Sequence, residues 1–304
     1  MKRVSIFLII TFVLTWTVEF FMWKNGGLEN PATQMLLTGV MMIPAFSVLL
    51  TKWFTKESFH LKPLRLEFKK YFRYYLIAWL GPFFLIIIGT ALYFLIFRSN
   101  FDPELTLLRK SMQAAQTQQP IEITSQMLIT TILIQSLISM IFAPVLNIFP
   151  TLGEEIGWRG YLLPKLDSQM NRRMAVLLTG IIWGLWHAPI IAMGHNYGKE
   201  YAGYPFWGIL AMIVFCVFVG SFFSWLTFHV HNPVPAAIAH GALNGFASIG
   251  LIFIKNAPSV FVGPFPTGII GGIGFVIVGI WCWLKIGKAG VEKAADTEID
   301  SSMA

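Results

Sequence analysis

Charge is what this sequence has least of. Asp, Glu, Lys and Arg make up 12% of the 304 residues, hydrophobic residues make up 56%, and mean hydropathy is +0.66. A water-soluble domain of this length needs far more surface charge. Cysteine is almost absent too. Cys216 and Cys282 both lie inside apolar runs, which excludes a disulfide framework and fits small buried hydrophobes. One-sided helical periodicity is missing where the chain is most apolar, so these runs are not amphipathic helices on a soluble core. An internal repeat of the kind that marks secondary transporters is also missing.

The apolar runs are each about 20 residues long, the length that crosses ~30 Å of hydrocarbon as a helix. Eight are expected: 4–23, 34–51, 74–97, 127–149, 174–194, 206–228, 233–254 and 267–284. The reading is an all-α polytopic bundle in which residues 1–288 form one membrane domain and 289–304 a disordered tail. With the N-terminus inside, 16 of the 22 Lys and Arg fall in inner segments, which places both termini in the cytoplasm. The net charge of +7 then needs no nucleic-acid partner, because basic loops beside anionic headgroups explain it. Met1-Lys2-Arg3 before an apolar run reads as an uncleaved signal anchor, since Phe20-Phe21-Met22-Trp23 replaces a small-residue cleavage site. The basic, aromatic stretch 52–73, with Phe59 and His60, suits an interfacial segment or a solvated loop. The Gln-rich 98–126 forms the longest outer loop, partly helical.

Ionisable residues inside apolar spans are costly and are functional candidates by default. Three clusters stand out. The first is Thr151-Leu-Gly-Glu154-Glu155-Ile-Gly-Trp-Arg159-Gly-Tyr-Leu-Leu-Pro164. On a helix Glu155 and Arg159 form an i,i+4 ion pair in the favourable orientation, and Glu154 points ~100° away. The competing readings are a capping box from Thr151 to Glu154 and a purely structural ion pair. The second cluster is Trp183-Gly-Leu-Trp-His187-Ala-Pro189, where the proline frees the Leu185 carbonyl near the histidine. The third is His240-Gly-Ala-Leu-Asn244, whose spacing puts imidazole and carboxamide on one helical face among small residues. Interhelical packing is the plain alternative for both histidines. His195, His229 and His231 sit at span ends and are weaker candidates.

These clusters resemble the three motifs of the CAAX-protease and bacteriocin-processing (CPBP, or Abi) family, which contains the type II CAAX prenyl endopeptidases. The family pattern is Glu-Glu-x-x-x-Arg, Phe-x-x-x-His and His-x-x-x-Asn/Asp. Here it reads Glu154-Glu155-x-x-x-Arg159, Trp183-x-x-x-His187 and His240-x-x-x-Asn244. The order matches over about 151–250, and the continuation after Arg159 looks like bacterial members. Trp183 in place of Phe is the departure, an exchange that bears on packing more than chemistry.

The resemblance implies an intramembrane peptidase of the cell membrane with a cavity open toward the cytoplasm. The expected span ends agree, with Glu154 at the inner end of the fourth. Glu154 and His187 would activate water, His240 and Asn244 would hold the oxyanion, and Glu155, Arg159 and Trp183 would support them. Substrates would be membrane-embedded or lipid-anchored peptides or proteins. The family has been described both as metalloproteases and as glutamate proteases. Glu154, His187 and His240 are donors that Zn2+ accepts, although the spacing is not His-Glu-x-x-His, so the cofactor expectation is none or Zn2+. Other intramembrane protease classes lack their parts, since neither a Gly-x-Ser-Gly nor a Gly-x-Gly-Asp site is present. The readings from other classes are an immunity or scaffold protein that binds through the same cavity, and a proton-coupled transporter.

Overall fold

In lipid an isolated backbone has no partner but itself, so long apolar runs become helices, and the computed structural model is built from them. It describes the backbone of residues 1–58, 66–115 and 122–302, with side chains as far as Gly287. His60, Phe59 and the Gln-rich 116–119 lie outside the described residues. Among the described residues, six helical stretches are long and apolar enough to cross a membrane: Lys2–Lys24, Thr33–Phe54, Phe68–Ile96, Ser125–Leu146, Phe206–Val230 and Val234–Phe253. A shorter apolar helix covers Ile273–Gly287. The protein is a multi-pass, all-α membrane bundle.

The helices are α1 (Lys2–Lys24), α2 (Thr33–Val40), α3 (Ile43–Phe54), α4 (Phe68–Ile96) and α5 (Thr106–Ala114). Then come α6 (Ser125–Leu146), α7 (Ile148–Gly157), α8 (Leu163–Asp167), α9 (Arg172–Trp186) and α10 (Ala188–Ile191). The last three are α11 (Phe206–Val230), α12 (Val234–Phe246) and α13 (Ile273–Ser302). Several starts are set locally. The Thr124 hydroxyl accepts from the Met127 N–H to begin α6, and the Asn171 side chain accepts from the Arg173 N–H to begin α9. Asn232 does the same for the Val234 N–H ahead of α12. On α6, Ile129, Leu133, Leu137 and Ile141 remain exposed, an apolar face that suits lipid contact.

Three expectations change. The eighth run begins its helix at Ile273 rather than at 267, and the helical backbone continues to Ser302 through 289–302, where disorder was expected. The Val291-Glu-Lys-Ala-Ala-Asp-Thr-Glu segment is rich in good helix formers. The fifth run is shorter than drawn, because α9 ends at Trp186.

The third change matters most for function. Residues 150–173 were expected as an inner loop with Glu154 at its edge. They form α7, a π turn over Trp158–Leu162, and α8, and this stretch runs through the bundle. Glu154, Glu155, Trp158, Arg159, Leu162 and Leu163 are all buried. Its entry depends on small residues one turn apart. A Cβ on Gly153 would stand 2.8 Å from the Met41 carbonyl oxygen, and one on Gly157 2.4 Å from Pro44 Cβ. Glycine at both positions therefore lets α7 lie directly on α3. Gly180 and Gly184 do the same for α9 against Val217 and Ile213 of α11.

The bundle has two distinct ends. At one end the Met1 amino group donates to Gln169, Glu57 pairs with Arg3 and Lys165, and Arg173 donates to the Leu284 carbonyl. At the other end Lys255 N–H bonds Asn100, Asp102 N–H bonds Phe253, and the Thr90 hydroxyl donates to the Pro264 carbonyl. α1 and α13 thus both direct their chain-terminal ends toward the Met1 end.

Candidate active site

The three motif clusters converge. A cavity of about 360 Å³ is lined by Glu154 from α7, Trp183 and His187 from the end of α9, and His240 and Asn244 from α12. All four proposed catalytic residues therefore share one chamber, delivered by three elements.

α7 carries two carboxylates with different fates. Glu155 accepts from Arg159 Nη1 at 3.1 Å and lies 3.0 Å from His240 Nδ1. The Glu155 and Arg159 side chains are fully buried, so each charge is balanced by the other rather than by water. Glu154 turns toward the cavity, where its Oε2 accepts from Trp183 Nε1 at 2.9 Å. The capping-box reading falls away, because Thr151 sits inside α7. Its Oγ1 lies 2.7 Å from the Asn147 carbonyl and 2.9 Å from the Ala237 carbonyl, tying α7 to α12.

α9 tightens as it ends. The His187 N–H bonds Gly184, three residues back, which leaves the Trp183 carbonyl without its usual helical donor. The His187 ring takes that place, with Nδ1 2.9 Å from the Trp183 oxygen. The Trp183 carbonyl is thus freed in addition to that of Leu185, whose helical donor Pro189 removes, and it is Trp183 that the ring uses. A carbonyl only accepts, so Nδ1 carries the proton and the neutral ring has its lone pair on Nε2.

The same logic fixes His240. Glu155, ion-paired to Arg159, is an acceptor, so His240 Nδ1 donates to it and Nε2 is the remaining ring nitrogen. Trp183 does more than pack. Its N–H holds Glu154, the Arg159 guanidinium lies 4.4 Å above its ring, and the His240 ring sits 5.4 Å away, edge to face. A phenylalanine here would give the ring contacts without the hydrogen bond.

Two residues escaped the sequence reading. Glu19 of α1 is buried, lines the same cavity, and its Oε2 has no hydrogen-bond partner. The signal was an acid inside the first apolar run. Asn147 also lines the chamber, with its side-chain amide donating to the Ala143 carbonyl at 2.9 Å. His195, thought a weak candidate, lines it as well. Among the described residues, no group of three or more His, Cys, Asp or Glu side chains is placed to hold a metal ion. Cys216 and Cys282 are buried and unpaired.

Residues 131–246 match the family model described as Rce1-like, type II CAAX prenyl endopeptidase. An 85-residue stretch is 32% identical to a protein named CAAX prenyl protease 2 from Methanococcus maripaludis, covering 28% of this chain and 31% of that protein. The alignment thus spans about a third of the relative's length. The family match starts within α6 and ends with α12, and all three motifs from Glu154 to Asn244 lie inside it. Over residues 131–246, the segment that carries all three motifs, the chain is similar to the Rce1-like type II CAAX prenyl endopeptidases.

Proposed function

We propose that this chain is an intramembrane endopeptidase that hydrolyses peptide bonds of membrane-associated peptides or proteins, in the manner of CAAX-type processing, with a water activated by Glu154. The observation that carries this reading is the gathering of Glu154, His187, His240 and Asn244 around one chamber. A scaffold has no need of two histidines each locked by its Nδ1 hydrogen bond with Nε2 as its remaining nitrogen.

The chemistry follows from which atoms are committed. Glu154, its Oε2 held by Trp183, takes a proton from water as the water oxygen attacks the peptide carbonyl. His187 accepts a hydrogen bond at Nε2 and orients that water. The Asn244 side-chain amide donates to the developing oxyanion. His240 joins it when Nε2 also carries a proton, with Glu155 as counter-ion to the resulting cation. The C–N bond then breaks, and the proton held by Glu154 passes to the leaving nitrogen. Glu155 and Arg159 position His240 without touching substrate.

Purified protein in detergent with a prenylated CAAX peptide tests this. Wild type is expected to release the C-terminal fragment, and Glu154→Gln to be folded and inactive. Wild-type turnover by Glu154→Gln removes the assignment.

A further inference from the structure

Two expectations met in this fold and came apart. Basic loops put both termini in the cytoplasm, while the family resemblance put the cavity mouth there too. The geometry sets them at opposite ends. Glu19 lies near the far end of α1 from Met1, and His187 follows the last residue of α9. Around the same chamber Gln34 and Thr38 lie on α2, His195 and Asn196 follow α10, and Thr267 precedes α13. Exposed Gln34, Thr38 and Asn196 form the polar rim. The chamber therefore opens away from the end where Met1, Glu57, Gln169 and Arg173 meet.

Charge separates the two ends. The Met1 end holds eleven described Lys and Arg side chains: Lys2 and Arg3 on α1, then Lys52, Lys56, Lys69, Lys70 and Arg73 around α3 and α4, then Lys165, Arg172 and Arg173 on α8 and α9, and Lys285. The acids beside them are Glu57, Glu67 and Asp167. The mouth end holds six bases, Lys24, Arg98, Arg109, Lys110, Lys199 and Lys255, with five acids, Glu29, Asp102, Glu104, Glu122 and Glu200. One end is strongly basic and the other nearly neutral. Lys and Arg close to helix ends set orientation, and the anionic cytoplasmic leaflet favours the basic end.

We propose that the cavity opens on the extracytoplasmic face, and that its substrate is a peptide segment of an exported protein or one anchored in the outer leaflet. That the occupant is a substrate rests on the proteolytic reading above, whereas the side of the mouth does not. The polar rim fits such a segment, since an extended backbone entering there keeps hydrogen-bonding partners until it reaches the polar groups of the chamber.

Single cysteines read the side directly in intact protoplasts treated with a membrane-impermeant maleimide. Cys216 and Cys282 are buried and supply a low background. Ser99→Cys at the mouth end and Gln34→Cys at the rim are expected to label fully in intact protoplasts, and Ser168→Cys at the Met1 end only after permeabilisation. Lys199→Cys and Lys69→Cys repeat the comparison at a second exposed position of each end. Labelling of Ser168→Cys or Lys69→Cys from outside, or silence of the mouth-end cysteines until permeabilisation, overturns the proposal. The detergent assay of Glu154→Gln has no sidedness. Its failure removes proteolysis and leaves the orientation standing, while reversed labelling removes the orientation and leaves proteolysis standing.

Discussion

Glu155 of α7 accepts from His240 of α12 at 3.0 Å while paired to Arg159 at 3.0 Å, so one buried carboxylate both balances a guanidinium and fixes the tautomer of an active-site imidazole. Glu155→Gln removes the charge from both partners at once. Leaving Arg159 buried without a counter-ion costs about 3–5 kcal/mol. Thermal unfolding in detergent is expected to fall well below wild type, with activity lost. A Glu155→Gln protein as stable and active as wild type contradicts the shared-carboxylate arrangement.

Trp183 stands where the family pattern has phenylalanine, and its N–H holds Glu154. Trp183→Phe keeps the aromatic surface beneath Arg159 and frees the carboxylate. One lost buried hydrogen bond is worth roughly 1–1.5 kcal/mol, which is about tenfold in rate. The expected result is a kcat/KM lower by about that factor with unfolding nearly unchanged. An undiminished rate makes the indole a packing residue only.

Glu19 brings an acid with an unpartnered oxygen to the chamber from outside the matched segment. A peptide N–H entering this site needs an acceptor, and Glu19 offers one. Glu19→Gln keeps an acceptor oxygen and is expected to stay within about threefold of wild type. Glu19→Leu is expected to raise KM by about tenfold, the equivalent of one hydrogen bond. Unchanged KM in a folded Glu19→Leu protein rules out the contact.

At the Met1 end, outside the spans, burial pushes the Glu57 carboxyl up. Hydrogen bonds from Lys165 at 2.7 Å, Tyr161 at 2.8 Å and Thr55 at 3.1 Å outweigh it and hold the group below the ordinary carboxylate range. A depressed folded-state value means that the contribution to stability is present above the unfolded-state value and is lost as pH falls through the folded one. Glu57→Gln is expected to unfold earlier than wild type at neutral pH and to converge with it in acid. A gap between the two that does not depend on pH contradicts the linkage.

The candidate site shows in the sequence through its costliest residues. Glu154, Glu155, Arg159, His187, His240 and Asn244 were legible because acids, histidines and an asparagine stand out against apolar surroundings, and their spacing placed each on a helix face. The course of residues 150–173 was not legible. That stretch is mixed in polarity, and only the contacts of Gly153 and Gly157 with α3 reveal that it enters the bundle. Glu19 carried the same signal as the others but stood alone, without an i,i+4 companion to draw attention. The carbonyl that accepts from His187 Nδ1 is that of Trp183, two residues before the one Pro189 frees, because proline chemistry predicts a freed carbonyl but not the tightening of the last turn.

Two unequal groups of residues supply much of the chamber's lining. One comes from α7, α9 and α12, lies within the matched family segment, and carries every proposed reacting group. The other comes from α1 and α2, through Glu19, Gln34, Leu37 and Thr38, and lies outside it. The proposed reacting groups and the lining from α1 and α2 thus lie on separate stretches of chain. On the proteolytic reading proposed above, exchanging the first two helices between relatives is expected to change which peptides are taken while leaving Glu154, His187, His240 and Asn244 in place.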